Sequence, residues 1–191
     1  MRAPDDCIAL VLAAGRSRRF GSDKRMALLP CGQTVLAATL ARVLEVFDEV
    51  RVVLRPGDDP VQLAIDERVG IIWAERADEG MGSSLAAGVC TLEDSPAKAV
   101  AVLLGDMPWV QVQTLQRLKA LSDAQQIVVP VHQGERGHPV LFGRHFWPAL
   151  GCLQGDQGAR NIVLGAGDAC VHVQVADPGM LRDVDWATDI L

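Results

Sequence analysis

Residues 7–24 read CIALVLAAGRSRRFGSDK, a short apolar run that gives way to a segment rich in small and basic residues. The run Cys7–Leu12 is continuously apolar, which is typical of a strand covered on both faces. The segment after it carries two glycines, three arginines and a lysine before the next helical pattern begins. Ligands of open parallel sheets bind at the carboxyl ends of the strands, so this segment lies where a ligand crevice is expected.

Short apolar runs alternate with amphipathic stretches along the first two thirds of the chain. This alternation is typical of βαβ units, so we predict an α/β fold with three layers, doubly wound around a mostly parallel sheet. The predicted strands are Cys7–Leu12, Val50–Leu54, Gly70–Ala74 and Ala99–Leu104, and the predicted helices are Gln33–Phe47, Ser83–Cys90 and Val112–Leu121.

The pattern changes after Leu121. Two strand-like runs, Gln126–Val131 and His138–Phe142, flank a polar turn that contains glycine, which predicts a small antiparallel hairpin at the rim of the sheet. The remaining predicted elements are a short helix at Asp156–Leu164 with Asp156 near its N-cap, a strand at Val171–Val175 and a helical turn at Trp186–Leu191. Because no linker or repeat interrupts the chain, we predict one domain over residues 1–191.

The composition limits the possible partners. The chain has 191 residues, of which 49% are hydrophobic, and 24 acidic against 18 basic residues give a net charge of −6. This balance argues against a broad electrostatic grip on nucleic acid. The polar start and the short first apolar run match neither a secretory signal nor a membrane span, so we predict a cytoplasmic protein without a membrane partner. The five scattered cysteines form no Cys-x-x-Cys pair, which argues against a disulfide framework or a zinc site.

The segment after the first strand has the chemistry of a polyphosphate site. Glycine lets backbone N–H groups approach an anion closely, while arginine and lysine neutralise its charge. The spacing of Gly15 and Gly21 excludes the dinucleotide-binding Gly-x-Gly-x-x-Gly motif and the P-loop. A solvated basic surface loop is the alternative interpretation.

Asp106 directly follows the apolar run Ala99–Leu104. A carboxylate at the end of a central strand projects into the ligand crevice, where it can hold Mg²⁺. Mg²⁺ commonly takes one or two carboxylates together with phosphate oxygens and water, so a second acid is expected from elsewhere in the chain. The alternative is that Asp106 caps a turn before Pro108.

Several motifs together resemble the molybdenum cofactor nucleotidyltransferase family, whose relatives act on sugar phosphates and methylerythritol phosphate. The first is Leu-Ala-Ala-Gly-x-Ser-x-Arg-x-Gly-x-x-Lys at residues 12–24. The others, in the order of the family, are Gly80-Met81-Gly82-Ser83-Ser84-Leu85, Leu104-Gly105-Asp106-Met107-Pro108, Arg136-Gly137-His138-Pro139-Val140 and Gly155-Asp156-Gln157-Gly158-Ala159-Arg160. The resemblance covers nearly the whole chain, implies a nucleotide-diphospho-sugar transferase-like fold, and is greatest to the cytidylyl branch.

The resemblance implies roles for the residues of these motifs. The nucleotide-binding residues are Leu12, Ala13, Ala14, Gly15, Arg16 and Ser17, with Gly80, Gly82, Ser83 and Ser84 at the base and ribose. Arg19 also contacts the triphosphate, and Lys24 bridges the α-phosphate and the acceptor, so Lys24, Arg19 and Asp106 are the expected catalytic residues. Asp185 matches the second acidic position of a Mg²⁺ site, with Asp183 and Asp189 as rivals. Helix capping alone is the alternative for the serines.

The acceptor side is expected at Arg136, Gly137, His138 and Arg160. His138 either donates to an acceptor phosphate or satisfies a carbonyl of the hairpin. Arg160 clamps an anionic acceptor or belongs to a capped surface helix.

The resemblance implies transfer of CMP from CTP to the terminal phosphate of molybdopterin cofactor, with release of pyrophosphate. Ala14 favours this branch, because guanylyltransferases of the family have Leu-Ala-Gly-Gly where this chain has Leu12-Ala13-Ala14-Gly15. The alternatives are GTP as the donor, another small phosphate as the acceptor, or a carrier of the cofactor that does not turn over nucleotide. A molybdoenzyme or its maturation factor is the protein partner that the resemblance suggests.

Overall fold

The computed structural model describes residues 6–16 and 20–190. Within them lies one sheet of eight strands with helices on both faces. The strands are β1 (Cys7–Leu12), β2 (Val50–Leu54), β3 (Gly70–Trp73), β4 (Ala99–Leu104), β5 (Ile127–His132), β6 (Glu135–Arg136), β7 (Val140–Gly143) and β8 (Cys170–Gln174). The helices are α1 (Val35–Leu44), α2 (Met81–Cys90), α3 (Val112–Ala120), α4 (Trp147–Gly151) and α5 (Arg160–Gly165).

The two faces of β1 build the two halves of the core. All six residues of β1 are buried, as its unbroken apolar run predicts. Successive side chains of a strand point to opposite faces, so Ala9 and Val11 pack with α1 and α3, whereas Ile8 and Leu10 pack with α2 and α4. The predicted three-layer α/β fold is confirmed.

The order of the strands is β3-β2-β1-β4-β7-β5-β6, and β8 pairs with β5. The strands β1, β2, β3 and β4 form parallel pairs, as do β5 and β8, whereas β7 is antiparallel to both β4 and β5. The carboxyl ends of β1 and β4 therefore lie side by side, with Leu12 opposite Leu104. This edge positions the segments after both strands next to each other.

The antiparallel hairpin is present, but its main strand does not lie at the predicted rim. β7 is inserted between β4 and β5, in the interior of the sheet. The reason is that β7 is apolar on both faces: Leu141 and Phe142 are each 1% exposed and pack into opposite halves of the core. The two-residue strand β6 lies at the end of the strand order and pairs with the carboxyl end of β5.

Helix boundaries differ from the predictions at several ends. Thr34 caps α1 by accepting a hydrogen bond from the Ala37 amide at 3.3 Å, and the helix ends at Leu44 rather than Phe47. The predicted helix at residues 156–164 begins only at Arg160, and Asp156 does not cap it. The preceding loop is instead bound to α2, because Gly155 accepts a hydrogen bond from the Gly82 amide at 2.8 Å. Within the described residues, every helix falls short of the length and hydropathy that a membrane span requires.

Candidate active site

A cleft opens at the carboxyl ends of β1 and β4. We call it the main cleft; its volume is about 480 Å³. Its walls come mainly from four regions: the segment after β1, the end of β4 with the segment after it, the start of α2, and the segment before the carboxyl end of the chain. The predicted site residues that line it are Leu12, Ala13, Ala14, Gly15, Arg16, Lys24, Gly80, Ser84, Asp106 and Asp185.

Lys24 connects the segment after β1 to the segment after β4 and to the segment before the carboxyl end of the chain. It begins a short 3₁₀ turn, Lys24–Met26, which Asp23 caps by accepting a hydrogen bond from the Arg25 amide. The Nζ atom of Lys24 lies 2.5 Å from Asp106 Oδ2 and 3.1 Å from Asp185 Oδ1. Burial alone would lower the pKa of Lys24, but the two carboxylates outweigh it and raise the pKa, so the ammonium is charged at neutral pH.

Three carboxylates converge beside this ammonium. Asp106, Asp183 and Asp185 each bring one oxygen within 4.8 Å of the others. The segment that carries Asp183 and Asp185 is fixed to the turn after β4, because the Val184 amide donates to the Asp106 carbonyl at 3.0 Å. Burial, together with the charges of Asp106 and Asp185, raises the pKa of Asp183. The cluster therefore concentrates negative charge that a cation would relieve.

The donor set fits a divalent cation such as Mg²⁺. Asp106 Oδ1 is buried and has no hydrogen-bond partner among the described residues, although its other oxygen is paired with Lys24. An orphaned buried carboxylate oxygen is costly and is satisfied by a metal ion or by water. Asp185 and its predicted rival Asp183 both belong to this cluster with Asp106, whereas Asp189 accepts hydrogen bonds from the amides of Asp185 and Trp186 and shapes the turn.

The segment after β1 brings a basic side chain to the cleft. Arg16 forms a two-pronged ion pair with Asp78, with both nitrogen–oxygen distances at 2.5 Å, and both side chains are exposed. Asp78 precedes α2, so the pair spans the main cleft from one wall to the other. Ser17 and Arg19, which the resemblance assigns to the triphosphate, lie outside the described residues.

The motif at the start of α2 divides into two roles. Gly80 and Ser84 line the main cleft, whereas Gly82 and Ser83 face the loop after α4. Ser83 Oγ accepts a hydrogen bond from the Gly155 amide at 3.0 Å, and a Cβ on Gly82 would lie 2.3 Å from the Gln157 carbonyl. Gly80 has a φ of 134°, a conformation that favours glycine. Gly82 and Ser83 therefore do not line the main cleft. They hold the start of α2 against the loop after α4.

Arg25 is a residue of the site that the sequence analysis missed. Its side chain is 6% exposed, and Nη1 donates to the Ala13 carbonyl at 2.9 Å. The same guanidinium is paired with Asp23 and Asp58, each at 2.6 Å. It thus ties the end of β1, the Lys24 turn and the loop after β2 together. The only signal in the sequence is the adjacency of Arg25 to Lys24, because Asp58 is distant along the chain.

A second cavity, which we call the side cavity, adjoins the main cleft. Its volume is about 690 Å³, and Leu12, Met81 and Leu104 line both spaces. All the predicted acceptor residues line the side cavity: Arg136, Gly137, His138 and Arg160. Arg136 and Arg160 are exposed at its margin, whereas the rest of the wall is mainly apolar.

His138 is a partly buried polar residue of the side cavity. Its amide donates to the Met180 carbonyl at 3.0 Å, which fixes the backbone. Its Nδ1 atom is buried and has no hydrogen-bond partner among the described residues. Burial lowers the pKa of the ring below its usual value, although the Val102 backbone, Asp106 and Asp183 act in the opposite direction. The imidazole is therefore neutral at pH 7.

Most of the chain matches a known protein family. Residues 9–170 match the MobA-like NTP transferase domain. The chain belongs to this family. It is 31% identical to the purine catabolism protein PucB of Bacillus subtilis, in an alignment that covers 97% of this chain and 94% of PucB. It is 26% identical to a probable molybdenum cofactor guanylyltransferase of Methanosarcina acetivorans, over 93% of this chain and 80% of that protein.

A solved structure of a protein with a similar sequence has the same fold. Rv0371c of Mycobacterium tuberculosis superposes with a TM-score of 0.85 at 28% identity, covering 98% of this chain and 96% of that one. A structure of Rv0371c in complex with manganese superposes with a TM-score of 0.74, also at 28% identity, covering 89% and 88% of the two chains. The MobA-like nucleotidyltransferase family and its α/β fold are therefore shown for this chain.

Proposed function

We propose that this chain is a single-domain cytidylyltransferase that moves CMP from CTP to the terminal phosphate of molybdopterin cofactor and releases pyrophosphate. The observation that carries the proposal is the contact of Lys24 with both Asp106 and Asp185 in the main cleft. Both reactants of a nucleotidyl transfer are anions, so the reaction depends on positioning and on neutralisation of charge. An ammonium beside a carboxylate cluster supplies both.

The charges of the main cleft suggest how the chain holds the reactants. Gly15 and the backbone around it approach the triphosphate, and Arg16 leaves Asp78 to pair with it. Lys24 lies at the carboxylate cluster, where it neutralises the charge that develops as the acceptor phosphate oxygen attacks the α-phosphorus. Pyrophosphate then leaves on the opposite side of that phosphorus, and its added charge is compensated by the basic residues after β1.

Mg²⁺ would be held by Asp106 and Asp185, with Asp183 as a third candidate ligand. When bound, such an ion neutralises phosphate oxygens and aligns the triphosphate for in-line displacement. The orphaned Asp106 Oδ1 supports this assignment.

Ala14 supports CTP rather than GTP as the donor. It is buried at the carboxyl end of β1 and lines the main cleft, so its methyl group reduces the space for a base. A pyrimidine needs less room than a purine. The likeness to a probable molybdenum cofactor guanylyltransferase favours GTP as the second candidate. Ala14→Gly removes the methyl group, and on our proposal it raises the use of GTP relative to CTP.

Calorimetric titration of CTP, GTP, ATP and UTP, with and without Mg²⁺, tests the donor. We expect Mg²⁺-dependent binding of CTP that is lost in Asp106→Ala and kept in Asp168→Ala, whose carboxylate is exposed in the turn before β8. Preferred binding of GTP would replace CMP transfer with GMP transfer.

Release of pyrophosphate in the presence of molybdopterin cofactor then tests the reaction. Binding of the cofactor without release would favour the carrier, although a carrier has no use for the carboxylate cluster in the main cleft. On our proposal the enzyme works in the cytoplasm and passes its product to a molybdoenzyme or to a maturation factor. Co-purification of either protein in a complex that depends on the product would support this handover.

A further inference from the structure

The segment between α4 and α5 divides between the two spaces of the site. Gly158, Ala159 and Arg160 line the side cavity, whereas Asp156 lines the main cleft. The sequence predicts Asp156 near a helix N-cap, but α5 begins only at Arg160 and its cap residue is Ala159. The carboxylate of Asp156 therefore lacks the local role that its place in the sequence predicts.

The loop that carries Asp156 is fixed against the start of α2. The Gly155 carbonyl accepts a hydrogen bond from the Gly82 amide at 2.8 Å, and the Gly155 amide donates to Ser83 Oγ at 3.0 Å. The approach is so close that a Cβ on Gly80 would clash with Asp156 Oδ1. The glycines at the start of α2 thus leave the room in which this loop brings a carboxylate to the cleft.

The Asp156 carboxylate is exposed in the main cleft and forms no hydrogen bond or ion pair with the described residues. It also lies outside the carboxylate cluster of Asp106, Asp183 and Asp185. Beside the triphosphate, a carboxylate without a cation would repel the phosphate oxygens. It is suited instead to the uncharged nucleoside part of the donor, which offers N–H and O–H groups.

A carboxylate discriminates between the two pyrimidine bases. Its oxygens accept hydrogen bonds and donate none. Cytosine presents its N4 amino group where uracil presents the O4 carbonyl oxygen, so a carboxylate pairs with cytosine and repels uracil. Adenine and guanine also carry amino groups, but the methyl group of Ala14 reduces the space for their larger rings.

We propose that Asp156 accepts a hydrogen bond from the amino group of cytosine and so makes the main cleft select CTP over UTP. The inference rests on the proposed function and assigns a specificity-determining residue within it. Ala14 limits the size of the base, and Asp156 requires a hydrogen-bond donor on its edge. The loop between α4 and α5, which the resemblance connects only with the acceptor, then also contacts the donor nucleotide.

The test compares the dissociation constants of CTP and UTP, measured by calorimetry with Mg²⁺, in the wild type and in Asp156→Asn. An asparagine amide accepts from the cytosine amino group or donates to the uracil carbonyl, so it tolerates both bases. We expect the wild type to bind CTP at least about tenfold more tightly than UTP, and Asp156→Asn to bind the two within about threefold of each other. Asp156→Asn should also bind UTP more tightly than the wild type does, which a merely damaged site would not do.

Two further variants serve as controls. Asp168→Asn changes an exposed carboxylate in the turn before β8 that does not line the main cleft, so it should keep the wild-type ratio of the two dissociation constants. Asp156→Ala removes the acceptor and supplies no donor, so it should lower the ratio by weakening CTP binding. Because both aspartates are exposed, urea denaturation should show little change in the free energy of unfolding of any variant.

Equal binding of CTP and UTP by the wild type would overturn the inference. So would an equal loss of affinity for both nucleotides in Asp156→Asn, since that would assign the carboxylate to the ribose that they share. The proposed function is tested apart from this, by pyrophosphate release from CTP with molybdopterin cofactor. Absence of release, or a preference for GTP, would reject CMP transfer, while the two dissociation constants would still decide the role of Asp156. Wild-type protein that binds neither CTP nor UTP would overturn both proposals.

Discussion

Lys24 Nζ lies 2.5 Å from Asp106 Oδ2, and this ion pair connects the segment after β1 to the end of β4. Asp106 keeps its second oxygen, Oδ1, buried and free of hydrogen bonds among the described residues. One carboxylate can therefore hold the ammonium through one oxygen and a cation through the other. This division explains how a lysine and a metal ion could share a site without displacing each other.

Lys24→Ala should abolish most of the transfer reaction. Removal of one preorganised charged donor from an active site commonly lowers kcat about 100- to 1000-fold. We expect a loss of this size in pyrophosphate release, with a much smaller change in the dissociation constant of CTP measured by calorimetry. Lys98→Ala is the matched control, because Lys98 forms an exposed pair with Asp6 away from the cleft. A loss of CTP affinity with kcat unchanged would assign Lys24 to binding alone.

Gly15→Ala should separate binding from stability. A Cβ at Gly15 would meet no protein atom within 4 Å, and Gly15 has no positive φ. The substitution should therefore keep or slightly raise the free energy of unfolding, since glycine is the more flexible residue in the unfolded chain. The added methyl group would nevertheless occupy the main cleft, so we expect calorimetry to show weaker CTP binding. Unchanged CTP affinity would place the triphosphate away from this backbone.

Asp78 competes with the triphosphate for Arg16. In the structure both carboxylate oxygens of Asp78 accept hydrogen bonds from the Arg16 guanidinium. Exposed ion pairs are weak, so Asp78→Asn should tighten CTP binding only about two- to fivefold. Arg76→Gln, which breaks the neighbouring exposed pair with Glu79, is the control and should leave the affinity unchanged. A weaker affinity in Asp78→Asn would instead make Asp78 a part of the nucleotide site.

The sequence predicted the elements that rely on local pattern and missed the contacts between distant segments. The bounds of β1, β2 and β4 agree with the predictions because each is a mainly apolar run that ends at a polar or glycine-rich segment. The position of β7 in the sheet could not be predicted in this way, because strand pairing depends on which strand edges β4 and β5 leave unpaired.

The same limit applies to the site. The motifs predicted that Lys24 and Asp106 share a crevice, because both follow strands of a parallel sheet. The pairing of Arg25 with Asp58 depends on where the loop after β2 returns, and no local spacing encodes that.

Arg25→Met should destabilise the protein strongly. The substitution removes one of the two guanidinium groups paired with the nearly buried carboxylate of Asp58, so that Arg55 alone stays with it, and it removes the donor to the Ala13 carbonyl. Loss of one partner from a buried ion pair typically costs about 3–5 kcal/mol in the free energy of unfolding. Urea denaturation at pH 7 measures this loss, and Arg68→Met, which breaks an exposed pair with Asp66, should change the free energy little. A small loss in Arg25→Met would mean that Arg55 and water compensate Asp58 without the Arg25 guanidinium.

The loss in Arg25→Met should depend on pH. Burial alone would raise the pKa of Asp58, but hydrogen bonds from Arg25 and Arg55 outweigh it and lower the pKa; hydrogen bonds from Arg25 likewise lower the pKa of Asp23. A carboxyl group with a lowered pKa in the folded state stabilises the protein fully above its unfolded pKa of about 3.8. That contribution disappears as the pH falls through the folded value.

The difference in the free energy of unfolding between the wild type and Arg25→Met should therefore be constant from pH 7 down to about pH 5 and then shrink towards pH 3. Urea denaturation of both proteins across this range measures the difference directly. Other acidic groups titrate in the same range, but they are common to both proteins and largely cancel. A difference that stays constant to pH 3 would show that Arg25 stabilises the fold through its bond to the Ala13 carbonyl rather than through the two carboxylates.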